Sequence, residues 1–204
     1  FKGLERDNNM RGDSTLEKLA TLKPCFGGPD GTMTPANSTP LTDGASTVLL
    51  ATEEWAKERG LPVLAYLTIG EAAAVDFIGK KEGLLMAPAY AVPSMLDKLD
   101  LTLQDFDFYE IHEAFASQVL STLKSWEDET FCKEKLGRKK ALGSIDRSKL
   151  NVKGSSLAAG HPFAATGGRI IANAAKLLNE KGSGRALISV CAAGGQGVVA
   201  ILEK

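Results

Sequence analysis

His161, Cys191 and His112 are the residues of this sequence whose types and surroundings fit proton or acyl transfer. His161 lies in Gly160-His161-Pro162-Phe163-Ala164-Ala165-Thr166-Gly167, a small-residue loop directly ahead of a strongly patterned helix. An imidazole titrates near neutrality, so it can take a proton from a thiol or donate a hydrogen bond to a forming oxyanion. A structural ring bonded to loop backbone reads the same way locally. Cys191 ends an apolar run and precedes Ala192-Ala193-Gly194-Gly195-Gln196-Gly197, which sets a thiol at a strand end beside free amides. Such amides stabilise developing negative charge, and a positive environment lowers a thiol's pKa enough for acid/base work. A buried structural cysteine is the plain alternative. His112, in Ile111-His112-Glu113-Ala114-Phe115, is the other of the two histidines. His-Glu without a second His four residues on is not a zinc motif, so metal-dependent proteolysis is excluded. Its plain alternative is a capping or buried ring.

Three scattered loops can form one site only if regular elements bring them together. Ser14 followed by Glu17 is a capping-box pattern and predicts a helix over 14–22. The small, apolar run 45–51 predicts a buried strand, 53–59 a helix closed by Gly60, and 63–69 a second strand. Pro93 predicts a helix start with Met95, Leu96 and Leu99 on one face. A strand over 107–111 and a helix over 113–123 flank His112. The segment 151–157 is predicted to be a strand leading into the His161 loop. Ile170, Ile171, Ala174, Leu177 and Leu178 follow a 3.6-residue period that Gly182 ends. Runs 187–190 and 198–202 around the glycine-rich turn predict a closing hairpin. Strands alternating with helices predict an α/β layered fold with a mostly parallel sheet covered on both faces and an antiparallel edge.

Composition narrows the functional classes. Hydrophobic residues are 44% and charged residues 24%, which is globular, and the net charge of −1 gives no electrostatic basis for nucleic-acid binding. The basic cluster Lys133, Lys135, Arg138, Lys139 and Lys140 reads as a solvated face rather than an anion site. Cys25, Cys132 and Cys191 have no paired spacing, so neither a metal centre nor a disulfide framework is expected. No membrane span and no signal peptide are expected.

Together the three motifs resemble those of one family, the thiolases. The matches are His112 to Phe115 for the loop ending in Glu-Ala-Phe, Gly160 to Gly167 for the Gly-His-Pro loop, and Cys191 for a cysteine followed by glycines. His at 112, Phe163-Ala164-Ala165, and the stretches 7–14 and 36–44 are most similar to the degradative 3-ketoacyl-CoA thiolases of the fatty-acid oxidation multienzyme system. The resemblance implies a thiolase-like layered fold, αβαβα in a complete protein, with a mixed sheet covered by helices. It also implies a division into 1–37 as the tail of a loop domain, 38–60 as the last strand and helix of an N-terminal domain, and 61–204 as a C-terminal domain.

For chemistry, the resemblance implies thiolytic cleavage of a 3-ketoacyl-CoA by CoA, giving acetyl-CoA and a shortened acyl-CoA. His161 matches the residue that activates a nucleophilic cysteine and helps hold the thioester oxygen. Cys191 matches the acid/base for the acetyl α-proton, and His112 the group that orients the oxyanion water. The amide of Ala193 matches a donor of a second oxyanion hole. For CoA, a substrate rather than a cofactor, Arg11 matches a position near the nucleotide, Thr39 one near the pantetheine, and Ala114 and Phe115 ones lining the channel. Nothing matches the family's acylated cysteine, so the chain is expected to act with an N-terminal half that carries it. The alternatives are a biosynthetic acetyl-CoA C-acetyltransferase and a non-catalytic CoA-binding or interaction module. The resemblance further implies a homodimer or homotetramer, a hydratase/dehydrogenase subunit as partner, and a cytoplasmic location, with the mitochondrial matrix as alternative.

Overall fold

The structure, a computed structural model, describes residue 3 and residues 5–204. Its elements in chain order are α1 (Leu16–Ala20), α2 (Glu53–Glu58), β1 (Tyr66–Ala74), α3 (Pro88–Leu99), β2 (Phe108–Ile111), α4 (Ala116–Glu127), α5 (Glu129–Glu134), α6 (Ser156–Ala159), α7 (Thr166–Lys181), β3 (Arg185–Ala192) and β4 (Gln196–Glu203). The strands form one sheet in the order β1-β4-β3-β2. The pairs β1/β4 and β3/β4 are antiparallel and β2/β3 is parallel. The sheet is therefore mixed, and the expectation of a mostly parallel one is corrected: the β3–β4 hairpin feeds β1 as a further antiparallel neighbour.

Two apolar clusters make the layers. Val92, Met95 and Leu96 of α3 and Val119, Leu123 and Trp126 of α4 pack on one sheet face with Tyr109, Ile111, Leu187, Val199 and Ile201. On the other face Ile170, Ala174 and Leu178 of α7 meet Ala186, Ile188, Ala200 and Leu202. Alternate residues of β3 and β4 go to opposite layers, as the pleat requires. The helix–sheet–helix arrangement fits the α/β layered fold. Gly182, left-handed at φ 87°, stops α7 by donating its N–H to the Leu178 carbonyl at 2.8 Å.

Several local expectations are overturned, each for a stated physical reason. Residues 45–51 are not a strand, because no neighbouring strand pairs with them among the described residues; Leu49 and Leu50 stand 70% and 67% exposed. Helix α3 starts at Pro88, and Pro93 lies inside it. Proline has no N–H to offer the Ala89 carbonyl, and the Trp126 indole N–H donates to that oxygen instead, at 3.3 Å. Helix α1 is capped by Thr15, since the Ser14 hydroxyl bonds the Arg11 carbonyl.

Residues 151–157 are likewise not a strand. The Asn151 side chain does the work of one: its Oδ1 accepts the Ile111 N–H at 2.8 Å and its Nδ2 donates to the Ile111 carbonyl at 2.9 Å. A side-chain amide thus pairs the free edge of β2 one residue before His112. Nδ2 also reaches Glu113 Oε1 at 2.7 Å, and the backbone of Asn151 sits at φ 47°, a conformation asparagine tolerates better than most residues. Replacing Asn151 by Ala removes all three bonds and leaves a β-carbon residue in the left-handed region. The variant is expected to lose about 3 kcal/mol or more in denaturant unfolding; a loss under about 1 kcal/mol would mean that the edge is held otherwise.

Candidate active site

The three loops are drawn to one end of the sheet by backbone pairing. His112 continues β2, and its N–H donates to the Ser189 carbonyl of β3 at 2.8 Å. Two residues further along each chain, the amide of Ala114 faces the sulfur of Cys191. A strap formed by residues 37–42 then runs between the His112 and His161 loops. Ala116 N–H donates to the Asn37 carbonyl at 2.9 Å and Thr39 N–H to the Ala114 carbonyl at 3.0 Å. His161 N–H donates to the Pro40 carbonyl at 2.9 Å, and the Thr39 hydroxyl to the Ser156 carbonyl at 2.6 Å.

As a result the His112 and His161 rings lie 4.2 Å apart between centroids, tilted by 40°. Phe163 closes edge-on against His161 at 4.9 Å. The Thr166 hydroxyl lies 2.6 Å from His161 Nδ1 and 3.2 Å from the Pro162 carbonyl. When it gives its one proton to that carbonyl it accepts from Nδ1–H, which leaves Nε2 with its lone pair. Burial, and then the Arg169 charge, hold the His161 pKa below its ordinary value, so the ring is a neutral base at neutral pH. Burial, the neighbouring His161 and Arg169 push His112 down to about 3. Burial pushes the Cys191 thiol up to about 11, against the pull of its own amide and that of Ala114. The thiol is therefore present as the protonated acid.

The other expected site residues are distributed around this centre. Ala114 is buried beside Cys191, Phe115 is half-buried and packs edge-on with Phe26 at 6.0 Å, and Thr39 lies in the strap. Ala193 is exposed in the β3–β4 turn, which the Val75 N–H clamps through the Gly195 carbonyl at 2.8 Å. Arg11 is exposed and makes no side-chain bond among the described residues. Its segment is nevertheless anchored at the His161 loop, because Asn9 Nδ2 donates to Thr42 Oγ1 at 3.1 Å and to the Ala159 carbonyl at 3.3 Å. Cys25 is exposed, and Cys132 is buried with its thiol on the Ser125 and Trp126 carbonyls. Among the described residues no cluster of three or more His, Cys, Asp or Glu could hold a metal, and no helix is long and apolar enough to cross a membrane.

Thr166, at the end of the Gly-His-Pro loop, and three residues outside every motif, Ser156, Arg169 and Glu110, complete the arrangement. Thr166 alone had a local signal, since a hydroxyl five residues after His161 at a helix start falls back onto the loop. Glu110 is buried in β2, its Oε1 has no partner, and burial pushes it up to about 7 despite a hydrogen bond from Asn173 and the Arg169 charge. A carboxyl whose folded pKa is raised leaves stability intact below its unfolded value and costs stability as pH climbs through the folded one. Glu110→Gln is therefore expected to stabilise the fold at pH 8 relative to wild type, by at most about 3 kcal/mol, and much less at pH 4. Thermal melts at the two pH values test this, and an equal effect at both would contradict it. Gly160 carries φ 85°, and a β-carbon there would come within 2.6 Å of Thr42 Cγ2 and 3.2 Å of the Pro40 carbonyl. Gly160→Ala should cost about 2 kcal/mol or more and loosen the His161 loop; an unchanged melting temperature would show that the strap is not in close contact.

Comparison with known proteins places this geometry. The family profile for "Thiolase, C-terminal domain" matches residues 61–204, and that for "Thiolase, N-terminal domain" matches residues 2–54. A 3-ketoacyl-CoA thiolase of Alteromonas mediterranea is 52% identical over 200 residues, covering 98% of this chain and 45% of that protein. One of Vibrio cholerae is 48% identical over 202 residues, covering 99% and 46%. Among solved structures, the acetyl-CoA acetyltransferase of Bacillus anthracis aligns with TM-score 0.77 and 38% identity, over 97% of this chain and 45% of its own. Human mitochondrial 3-ketoacyl-CoA thiolase in complex with CoA aligns with TM-score 0.75 and 30% identity, over 98% and 45%. The chain spans less than half the length of these relatives.

Proposed function

The chain belongs to the thiolase family, and from that premise we propose that it supplies the acid/base and oxyanion side of a degradative 3-ketoacyl-CoA thiolase. The nucleophilic cysteine comes from a preceding N-terminal half. The carrying observation is the convergence of His112 and His161, 49 positions apart in sequence, to 4.2 Å, with Cys191 on the neighbouring strand.

In this reading His161 Nε2 takes the proton of the nucleophilic thiol as its sulfur attacks the 3-keto carbon. His161 and a water oriented by His112 hold the thioester oxygen of the acetyl-CoA part, while the amide of Ala193 donates to the tetrahedral oxyanion. Collapse re-forms the carbonyl and breaks the bond between the α and β carbons. The electron pair leaves on the acetyl-CoA enolate, and the Cys191 thiol delivers a proton to its α-carbon. The CoA thiol then attacks the acyl carbon and gives its proton to the Cys191 thiolate; the bond to the nucleophilic cysteine breaks, that sulfur takes back the proton held on His161, and the shortened acyl-CoA is released. The protonated state of buried Cys191 suits the first half of this cycle, which begins with an acid. The amide of Ala193 serves as the second oxyanion donor. Arg11 binds the nucleotide end of CoA, while Thr39, Ala114 and Phe115 flank the pantetheine. CoA is a substrate here, and no cofactor is required.

The condensing direction is the second reading, favoured by the structural match to an acetyl-CoA acetyltransferase. Chain-length preference separates the two, since confinement to acetoacetyl-CoA belongs to the condensing enzyme. Homodimeric or homotetrameric assembly, a hydratase/dehydrogenase subunit as partner, and a cytoplasmic or mitochondrial-matrix setting with reduced thiols belong to the same proposal. The test is thiolysis of a long-chain 3-ketoacyl-CoA by this chain joined to its N-terminal half. His161→Ala should lower kcat roughly 10²–10⁴-fold, and full activity in that variant would overturn the assignment.

A further inference from the structure

The Ser156 side chain is fully buried and has two polar contacts, His112 Nδ1 at 2.7 Å and Arg169 Nη2 at 2.8 Å. A guanidinium only donates, so it occupies one lone pair of the hydroxyl and leaves the hydroxyl proton a single acceptor, His112 Nδ1. A buried hydroxyl that kept its proton unused would be destabilised. Arg169 cannot easily turn away: its Nη1 donates to the Gly160 carbonyl at 3.1 Å, and the charges of Glu110 and Glu113 hold its own. Glu113 is itself fixed, accepting from Asn151 Nδ2 and from the Leu157 N–H at 3.0 Å.

We propose that Ser156, oriented by Arg169, is a positioning residue that locks His112 as the Nε2–H tautomer. His112 is then a neutral hydrogen-bond donor, while His161, locked by Thr166 in the opposite tautomer, is the base. Two adjacent imidazoles that could each exchange roles are thereby made distinct by one serine and one threonine. This division of labour rests on the thiolase reading for its purpose, but the tautomers are a property of the rings alone. The deep burial of His112 acts in the same direction, because it suppresses the imidazolium in which both nitrogens would be donors.

The test is long-range proton–nitrogen NMR at neutral pH on the complete enzyme with 15N-histidine introduced segmentally into this chain alone, so that its two rings give the whole spectrum. The expected pattern is an unprotonated Nδ1 and a protonated Nε2 for His112, with the reverse for His161. A protonated Nδ1 on His112 in the wild-type chain overturns the proposal, with no variant needed. Ser156→Ala should move the His112 nitrogens toward the average of exchanging tautomers and leave those of His161 in place; an unchanged His112 pattern overturns it. In the complete enzyme the same variant should lose about 10-fold or more in kcat with KM nearly unchanged, as expected when a transition-state donor is only part of the time in its working form. Correct tautomers in an enzyme without thiolysis would sink the functional reading and leave this one standing.

Discussion

Ser156 is the buried junction on which the arrangement depends. Its hydroxyl joins His112 to Arg169, and its carbonyl accepts both the Thr39 hydroxyl at 2.6 Å and the Gly160 N–H at 2.8 Å. Three segments remote in sequence, the strap, the end of β2, and the run from α6 into the start of α7, meet through one residue that water does not reach. A polar node of this kind is stable only when each of its groups is satisfied. Satisfying them sets the separation of the two histidine loops.

The electrostatics follow from that burial. Removing the loops from water keeps both imidazoles neutral and the Cys191 thiol protonated. A neutral base, a neutral donor and a neutral acid side by side suit chemistry in which charge appears only on the reacting atoms. Arg169 carries the one guanidinium bonded into this network, and its charge is balanced from behind by Glu110 and Glu113. The unpartnered Glu110 oxygen marks where the balance is incomplete.

Legibility in the sequence followed the range of the interactions involved. Helix α7 and the β3–β4 hairpin could be read because period, stop residue and turn all lie within the segments themselves. The histidine loops and Cys191 could be read because they are continuous motifs, and their resemblance to one family supplied the chemistry. Residues 45–51 misled, since an apolar run cannot reveal whether a neighbour exists to pair with it. Asn151 and Pro93 misled for a related reason: Asn151 acts on Ile111, 40 positions away, and the carbonyl that Pro93 leaves free is met by Trp126, 37 positions beyond it. Ser156 and Arg169 gave no signal at all, because a buried serine is chemically ordinary until the ring beside it is known.

The central claim is that this chain surrounds an acyl-transfer site without providing its nucleophile. The most direct measurement is peptide mass spectrometry of the complete enzyme, quenched after reaction with a 3-ketoacyl-CoA and before free CoA is added. The account predicts an acyl group on a cysteine in the preceding half, with Cys25, Cys132 and Cys191 unmodified. An acyl group on Cys191 would contradict it.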